Sequence, residues 1–280
     1  MRLSIVTVCR NAKGSIARTI SSVITQKTRE VEYLIIDGSS TDGTQEIVRE
    51  YGSDVDYFVS EPDGGIYQAM NKGLQRASGD FVWFLNADDQ LYPGSISFVL
   101  SELGNNDFLF GLCLCFQPEG DFEGIFWPVV DSGGRLNDFL TCGTFIPHPA
   151  LICKTVLARD IGFDDAFHIA ADYDFMIRLV TKTAKYLFLR RPLALFQKGG
   201  ISERQGRTEL FAVQKKNFSI LTEELDPRQL RNYYRFLVDR SRDPFYSQEK
   251  QTIQLLKRYL PVWLPIKILI LLKSWIRGLL

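Results

Sequence analysis

Two acidic turns stand directly behind apolar runs. Asn86-Ala87-Asp88-Asp89 follows Phe81-Val82-Trp83-Phe84-Leu85, and Asp37-Gly38-Ser39-Ser40-Thr41-Asp42-Gly43-Thr44 follows Tyr33-Leu34-Ile35-Ile36. Short apolar runs bounded by turns read as buried strands, so carboxylates are presented where strands end, the place at which open α/β sheets bind ligands. Oxygen donors at two such ends point to a nucleotide site assisted by a hard divalent cation.

The elements that must position these turns alternate regularly. Strands are predicted near 3–8, 33–36, 56–59 and 81–85, separated by helices near 14–25, 43–51, 66–77 and 94–103. Such alternation implies right-handed βαβ units and a mostly parallel sheet. Ser40 or Thr41 is expected to cap the second helix, with Asp42 and Glu46 favouring its positive end. In the third helix Ala69, Gly73 and Ala77 recur every four residues and predict close packing on the sheet. From 107 to 153 the text is β-rich, with runs at 108–116 and 122–130. A helix around Asp172 to Leu179 follows, then a strand near 186–196, a turn at Gly199-Gly200, and charged helical text after about 205. Within the helix, Asp174 and Arg178 have the i,i+4 spacing of an ion pair.

Composition sets the outer limits. The 280 residues carry 33 Lys plus Arg and 33 Asp plus Glu, so no global field attracts nucleic acid, and none is expected as a partner. Cys9, Cys113, Cys115, Cys142 and Cys153 are odd in number and show no zinc or disulfide spacing; Cys113 and Cys115 should pack as small hydrophobes. With only His148 and His168 in the chain, a histidine-bound zinc is not expected. The first apolar run reads as a strand, not a signal segment, and a reducing, cytoplasmic setting is expected. From Lys250 to Leu280 there are six Lys or Arg and no Asp or Glu, among Trp263, Trp275 and many aliphatics. Pro261, Pro265 and the interior charges argue against a membrane span. The composition fits a peripheral tail on an anionic leaflet or a helix closing a core or dimer interface.

At these turns the chain resembles family 2 glycosyltransferases with the GT-A fold. The likeness rests on Asp37-Gly38-Ser39-Ser40-Thr41-Asp42-Gly43-Thr44 and on a DxD-type motif at Asn86-Ala87-Asp88, and it continues with weaker motifs to about 202. It implies a Rossmann-like nucleotide-binding half at 1–103, a mixed acceptor half at 104–204, and a helical extension at 205–280 with the basic tail. It also implies transfer, with inversion, from a UDP or GDP sugar to a glycan or lipid-linked saccharide in bacterial surface polysaccharide synthesis, at the inner face of the membrane. Asp88 is then the metal ligand for Mg2+ or Mn2+, with Asn86, an oxygen donor without charge, at the first motif position. Asp37 would recognise the base, Thr7 and Asn11 would touch ribose and base, and Asp63 would lie by the nucleotide. Ala170-Ala171-Asp172-Tyr173-Asp174-Phe175-Met176-Ile177-Arg178-Leu179 resembles the "ED"-like motif, which makes Asp172 the general base. His148 resembles the acceptor-side histidine, and Gly199, Gly200 and Ser202 a loop closing over the donor.

Each of these residues also has a structural reading. Asn11 and Asp63 could be helix caps, the aspartates after Leu85 a polar turn with Asp89 a mere neighbour of Asp88, His148 a packed residue and Gly199-Gly200 a surface turn. Family members often carry Asp where this chain has Gly38 and Glu where it has Ala171. Two rivals therefore stand beside glycosyl transfer: a nucleotidyltransferase, for which Cys9-Arg10-Asn11-Ala12-Lys13-Gly14 is a poor phosphate loop, and a membrane-attached nucleotide-sugar-binding module without turnover.

Overall fold

A computed structural model describes residues 1–117, 120–126, 128, 136, 146–199, 209, 212–213 and 216–217. All lie within the compact unit Met1–Glu224. The basic tail, Gly200 and Ser202 lie outside the described residues.

Four strands form the expected parallel half: β1 (Leu3–Cys9), β2 (Val31–Asp37), β3 (Tyr57–Ser60) and β4 (Phe81–Phe84), in the order β3-β2-β1-β4. Helices α1 (Ile16–Ile24), α2 (Thr44–Glu50) and α3 (Ile66–Arg76) connect them. Beyond β4 come β5 (Gln90–Leu91), α4 (Ser95–Glu102), β6 (Phe108–Phe116), β7 (Phe122–Phe126), β8 (Leu151–Lys154), α5 (Thr155–Ile161), α6 (Ala171–Lys182) and β9 (Tyr186–Gln197). The sheet continues β4-β8-β6-β9-β5, with β7 beside the far half of β6. It turns mixed at β8, which runs antiparallel to both β4 and β6. The mixed α/β architecture is that expected.

The sheet is covered on both faces, which explains why its strands read as continuous apolar runs. On one face Val6, Val8, Leu34, Ile36, Val82 and Phe84 are buried with α3, α5 and α6. On the other Ile5, Tyr33, Ile35, Phe81 and Trp83 are buried with α1 and α4. The small-residue stripe does what its spacing predicts: a Cβ on Gly73 would lie 2.5 Å from Val6 Cγ1, so α3 rests directly on β1. Cys113 and Cys115 are buried free thiols, and Asp174 pairs with Arg178 at 2.6 Å.

Two local expectations are corrected, and one helix was not expected. Ser40 and Thr41 do not cap α2; its cap position is Gly43 at φ 99°, and the Asp42 carboxylate accepts the Thr44 amide at 3.0 Å. Glycine is required there because a left-handed backbone is costly for other residues. Asn11 caps no helix either, since α1 starts behind Ser15. Helix α5 has no strong local signal, being seven residues with Thr, Val and Ile among them. Tertiary contacts define it: Thr155 Oγ1 donates to Gly79 O at 2.6 Å, and Arg159 Nε to Leu74 O at 3.0 Å.

Candidate functional site

The β1–α1 and β2–α2 loops are stitched together at the strand ends. Asn11, itself left-handed at φ 50°, accepts the Thr41 amide at 3.0 Å through Oδ1, and its own amide donates to Ser40 Oγ at 2.7 Å. Asp37 is the hub beneath them. It accepts the Ser40 amide at 2.9 Å, Ser60 Oγ at 2.6 Å and the Ser40 hydroxyl, with Cys9 Sγ at 3.4 Å. Its exposure is 0 %, so the carboxylate expected to meet a base is spent on holding the loop. Burial, followed by the charge of Asp37, pushes the Cys9 thiol up and leaves it unreactive.

Asp63, just beyond the end of β3, is half-buried where Asp37 is fully buried. Its Oδ1 accepts the Gly65 amide at 3.0 Å, but it does not cap α3 as the structural reading expects, because the cap position is Gly65. A Cβ on Gly38 would sit 2.6 Å from Asp63 Oδ2, so the glycine leaves room for this carboxylate. Thr7 is corrected for its side chain, which is wholly buried in the sheet with Oγ1 3.0 Å from the Tyr33 hydroxyl. Only its backbone belongs to the strand end.

The turn after β4 has a different character. Asp89 is buried, with Oδ1 accepting the Gln197 amide of β9 at 3.2 Å, so it ties two strand ends together and is more than a neighbour of Asp88. Asp89 Oδ2 and Asn86 Oδ1 are buried without a hydrogen-bond partner among the described residues. Burial raises Asp88 above the usual carboxylate range, and burial plus the Asp88 charge raises Asp89 further. Unpaired buried oxygens are costly, and this group of hard donors fits a divalent cation. Asp88 opens onto a cleft of about 210 Å³ shared with Arg18, Gln90 and Gln197. Among the described residues no cluster of three His, Cys, Asp or Glu ligands surrounds it, so an ion here would draw further ligands from substrate or water.

A second cluster forms between α3 and the start of α6. Asp172 Oδ1 accepts the Tyr173 amide at 2.8 Å and lies 3.2 Å from the Tyr67 hydroxyl. Burial pushes Asp172 up, opposed by the facing His148, the Tyr173 amide and Tyr67. The His148 ring is packed with Phe84 at 6.1 Å and Phe163 at 6.0 Å. Its turn is held by Trp83 Nε1 donating to Pro149 O at 2.8 Å. Burial lowers its basicity, opposed by Asp172. His168 is exposed and outside this cluster. Gly199 follows β9 at φ 90°.

Sequence reasoning missed Glu209. Its carboxylate accepts the amides of His168 at 2.9 Å, Ile169 at 2.6 Å and Ala170 at 3.0 Å, pinning the segment that leads into α6 from about forty residues away in sequence. Nothing local marks such a contact. Nearby, Asn217 and Lys216 reach buried Asp174 at 2.8 and 3.0 Å. Burial opposes the charge of Glu209, yet the three amides hold it below its ordinary range. Its contribution is therefore present above the normal glutamate range and lost as pH falls through the lower folded value. Glu209→Ala should cost about 1 kcal/mol at pH 7, because the carboxylate is half-exposed and screened. Chemical denaturation at pH 7 and pH 3 checks this, the difference between wild type and variant shrinking at the lower pH.

Comparison with known proteins places this geometry. Residues 4–159 match the family model "Glycosyl transferase family 2". A glycosyltransferase of Mycobacterium tuberculosis is 30% identical over 215 residues, covering 75% of this chain and 80% of the relative. The amylovoran biosynthesis glycosyltransferase AmsB of Erwinia amylovora is 27% identical over 204 residues, 68% of each. Among solved structures, mannosyltransferase PcManGT from Pyrobaculum calidifontis, in complex with GDP-Man and Mn2+, superimposes with a TM-score of 0.57 at 17% identity, covering 93% of this chain and 81% of that one.

Proposed function

The chain belongs to glycosyl transferase family 2 and is a glycosyltransferase, and from that premise we propose that it moves a sugar, with inversion, from a nucleoside diphosphate donor to a hydroxyl of a glycan or lipid-linked saccharide. The observation that carries this reading is the pairing of two carboxylate sites: Asp88 at the end of β4 and Asp172 at the start of α6, the latter beside His148. The first suits a diphosphate and the second a nucleophile.

The nucleoside would lie across the ends of β1, β2 and β3, with Asp63 as the carboxylate open to it and Asn11 and Asp37 shaping the loop. Asp88, with Asn86 and Asp89 beside it, would hold Mg2+ or Mn2+. Such an ion, when bound, neutralises diphosphate charge and eases its departure. Asp172 accepts the proton of the acceptor hydroxyl as that oxygen bonds to the anomeric carbon. The bond from that carbon to the diphosphate breaks, and nucleoside diphosphate leaves. His148 lies on the acceptor side, and Gly199 begins the donor loop.

Turnover with a panel of UDP and GDP sugars tests this. Acceptor-stimulated release of nucleoside diphosphate is expected, whereas binding without turnover would leave a sugar-nucleotide module. The similarity to AmsB supports a place in bacterial polysaccharide synthesis.

The basic tail supports action at the inner face of the membrane. Each of its six cations contributes about 1 kcal/mol of attraction near an anionic surface. The full chain should sediment with anionic liposomes at low salt and lose most of that binding when residues from 259 onward, which carry three of the six cations and both tail tryptophans, are removed. Unchanged sedimentation after truncation contradicts a tail-borne membrane site.

A further inference from the structure

The Tyr67 hydroxyl has one proton and two acceptors. It lies 2.6 Å from the Ile169 carbonyl and 3.2 Å from Asp172 Oδ1. The ring is fixed by stacking on Phe163 at 5.7 Å, and Glu209 holds the peptide that carries the Ile169 carbonyl through its Ala170 amide at 3.0 Å. Asp172 Oδ2 has no hydrogen-bond partner among the described residues, which leaves it to receive the acceptor's proton.

We propose that Tyr67 is a positioning residue for the transfer reaction, whose hydroxyl shifts its proton between Asp172 and the Ile169 carbonyl as Asp172 changes protonation state. This rests on Asp172 being the general base. While Asp172 is ionised, Oδ1 carries part of the negative charge and draws the Tyr67 proton, since hydrogen bonds to charged groups are the stronger ones. The carboxylate is thereby kept ionised in a site whose burial favours the acid. Once the acceptor's proton sits on Oδ2, Oδ1 becomes a neutral carbonyl oxygen and the hydroxyl turns to Ile169. A buried hydroxyl with no second acceptor would be stranded at that moment, at the cost of an unmade hydrogen bond. Tyr67 itself stays protonated, because burial, followed by the Asp172 charge, pushes it far above its ordinary range.

Among the described residues the titratable groups that face Asp172 are His148 from the turn before β8 and Tyr67 from α3; Glu209 holds the peptides leading into α6, and Asp174 is turned away into its pair with Arg178. The test is the pH profile of kcat/KM for the full chain and Tyr67→Phe, which keeps the ring and its stacking. Loss of the hydroxyl should move the acid limb up by about 0.5 to 1 pH unit, a three- to tenfold loss on that limb. Donor KM and thermal midpoint should stay close to those of the full chain. The same displacement should persist in a His148→Gln background. An acid limb that does not move, or that moves only when His148 is present, overturns the proposal. Asp172→Asn serves as the control: if it retains transfer, the base assignment itself fails, whereas an inactive Asp172→Asn beside an unmoved Tyr67→Phe limb sinks only the role of Tyr67.

Discussion

Asp172→Asn should transfer sugar about 10²–10⁴-fold more slowly than the parent chain, the usual range for losing a general base. Nucleoside diphosphate affinity should be retained, because Asp172 sits at the start of α6 and the loops proposed to hold the nucleotide lie at the ends of β1 to β4. Calorimetry with UDP or GDP reads the second quantity, and loss of binding in parallel with activity would move Asp172 into the donor site or the fold. Stability supplies an independent sign. A carboxylate raised by burial favours the fold in its protonated form, so its contribution is greatest at low pH and falls as pH rises through the raised folded value. The neutral amide still accepts from the Tyr173 amide. Asp172→Asn should therefore melt no lower than the parent at pH 7, while a merely structural aspartate would melt lower.

Asp88→Ala should abolish metal-stimulated turnover and leave the fold intact. The carboxylate is raised by burial and has no ion-pair or hydrogen-bond partner given by another described side chain, so its removal takes away a ligand and little else. The measurement is activity against Mg2+ and Mn2+ concentration, together with circular dichroism. Near-parent activity with unchanged metal dependence would remove Asp88 from the site. Asp89→Ala should behave differently: its carboxylate is buried and bonded to β9, so that change should lower the melting temperature as well.

The difference between these aspartates marks what could be read in advance. The parallel half was legible because each strand is covered on both faces, which forces an uninterrupted apolar run, and the helices between carry one apolar stripe. In their placement alone, behind a strand and at a helix start, Asp88 and Asp172 were legible because those are local events. Asp37 and Thr7 were not. Their partners, Ser60 for the first and Tyr33 for the second, lie 23 and 26 residues away, and an aspartate behind a strand looks the same whether it faces a ligand or its own loop. Gly38 carried a usable signal, since loss of a side chain at a crowded strand end makes room for another, but only the fold shows that Asp63 takes that room. Glu209 had no signal at all, because a carboxylate supplied from another segment leaves no pattern around the peptides it binds. Helix α5 and strand β8 were hidden for a related reason, being short elements fixed by Gly79, Leu74 and Phe108 and not by their own periodicity.

Product analysis by NMR tests the central claim most directly. The full chain would be incubated with Mn2+ and each nucleoside diphosphate sugar in the presence of a saccharide acceptor, and the new bond and the released nucleotide identified together. The account predicts one nucleoside diphosphate per glycosidic bond, with the anomeric configuration opposite to that of the donor, and no such product from Asp172→Asn. Release of pyrophosphate, or a glycosidic product of retained configuration, would contradict it.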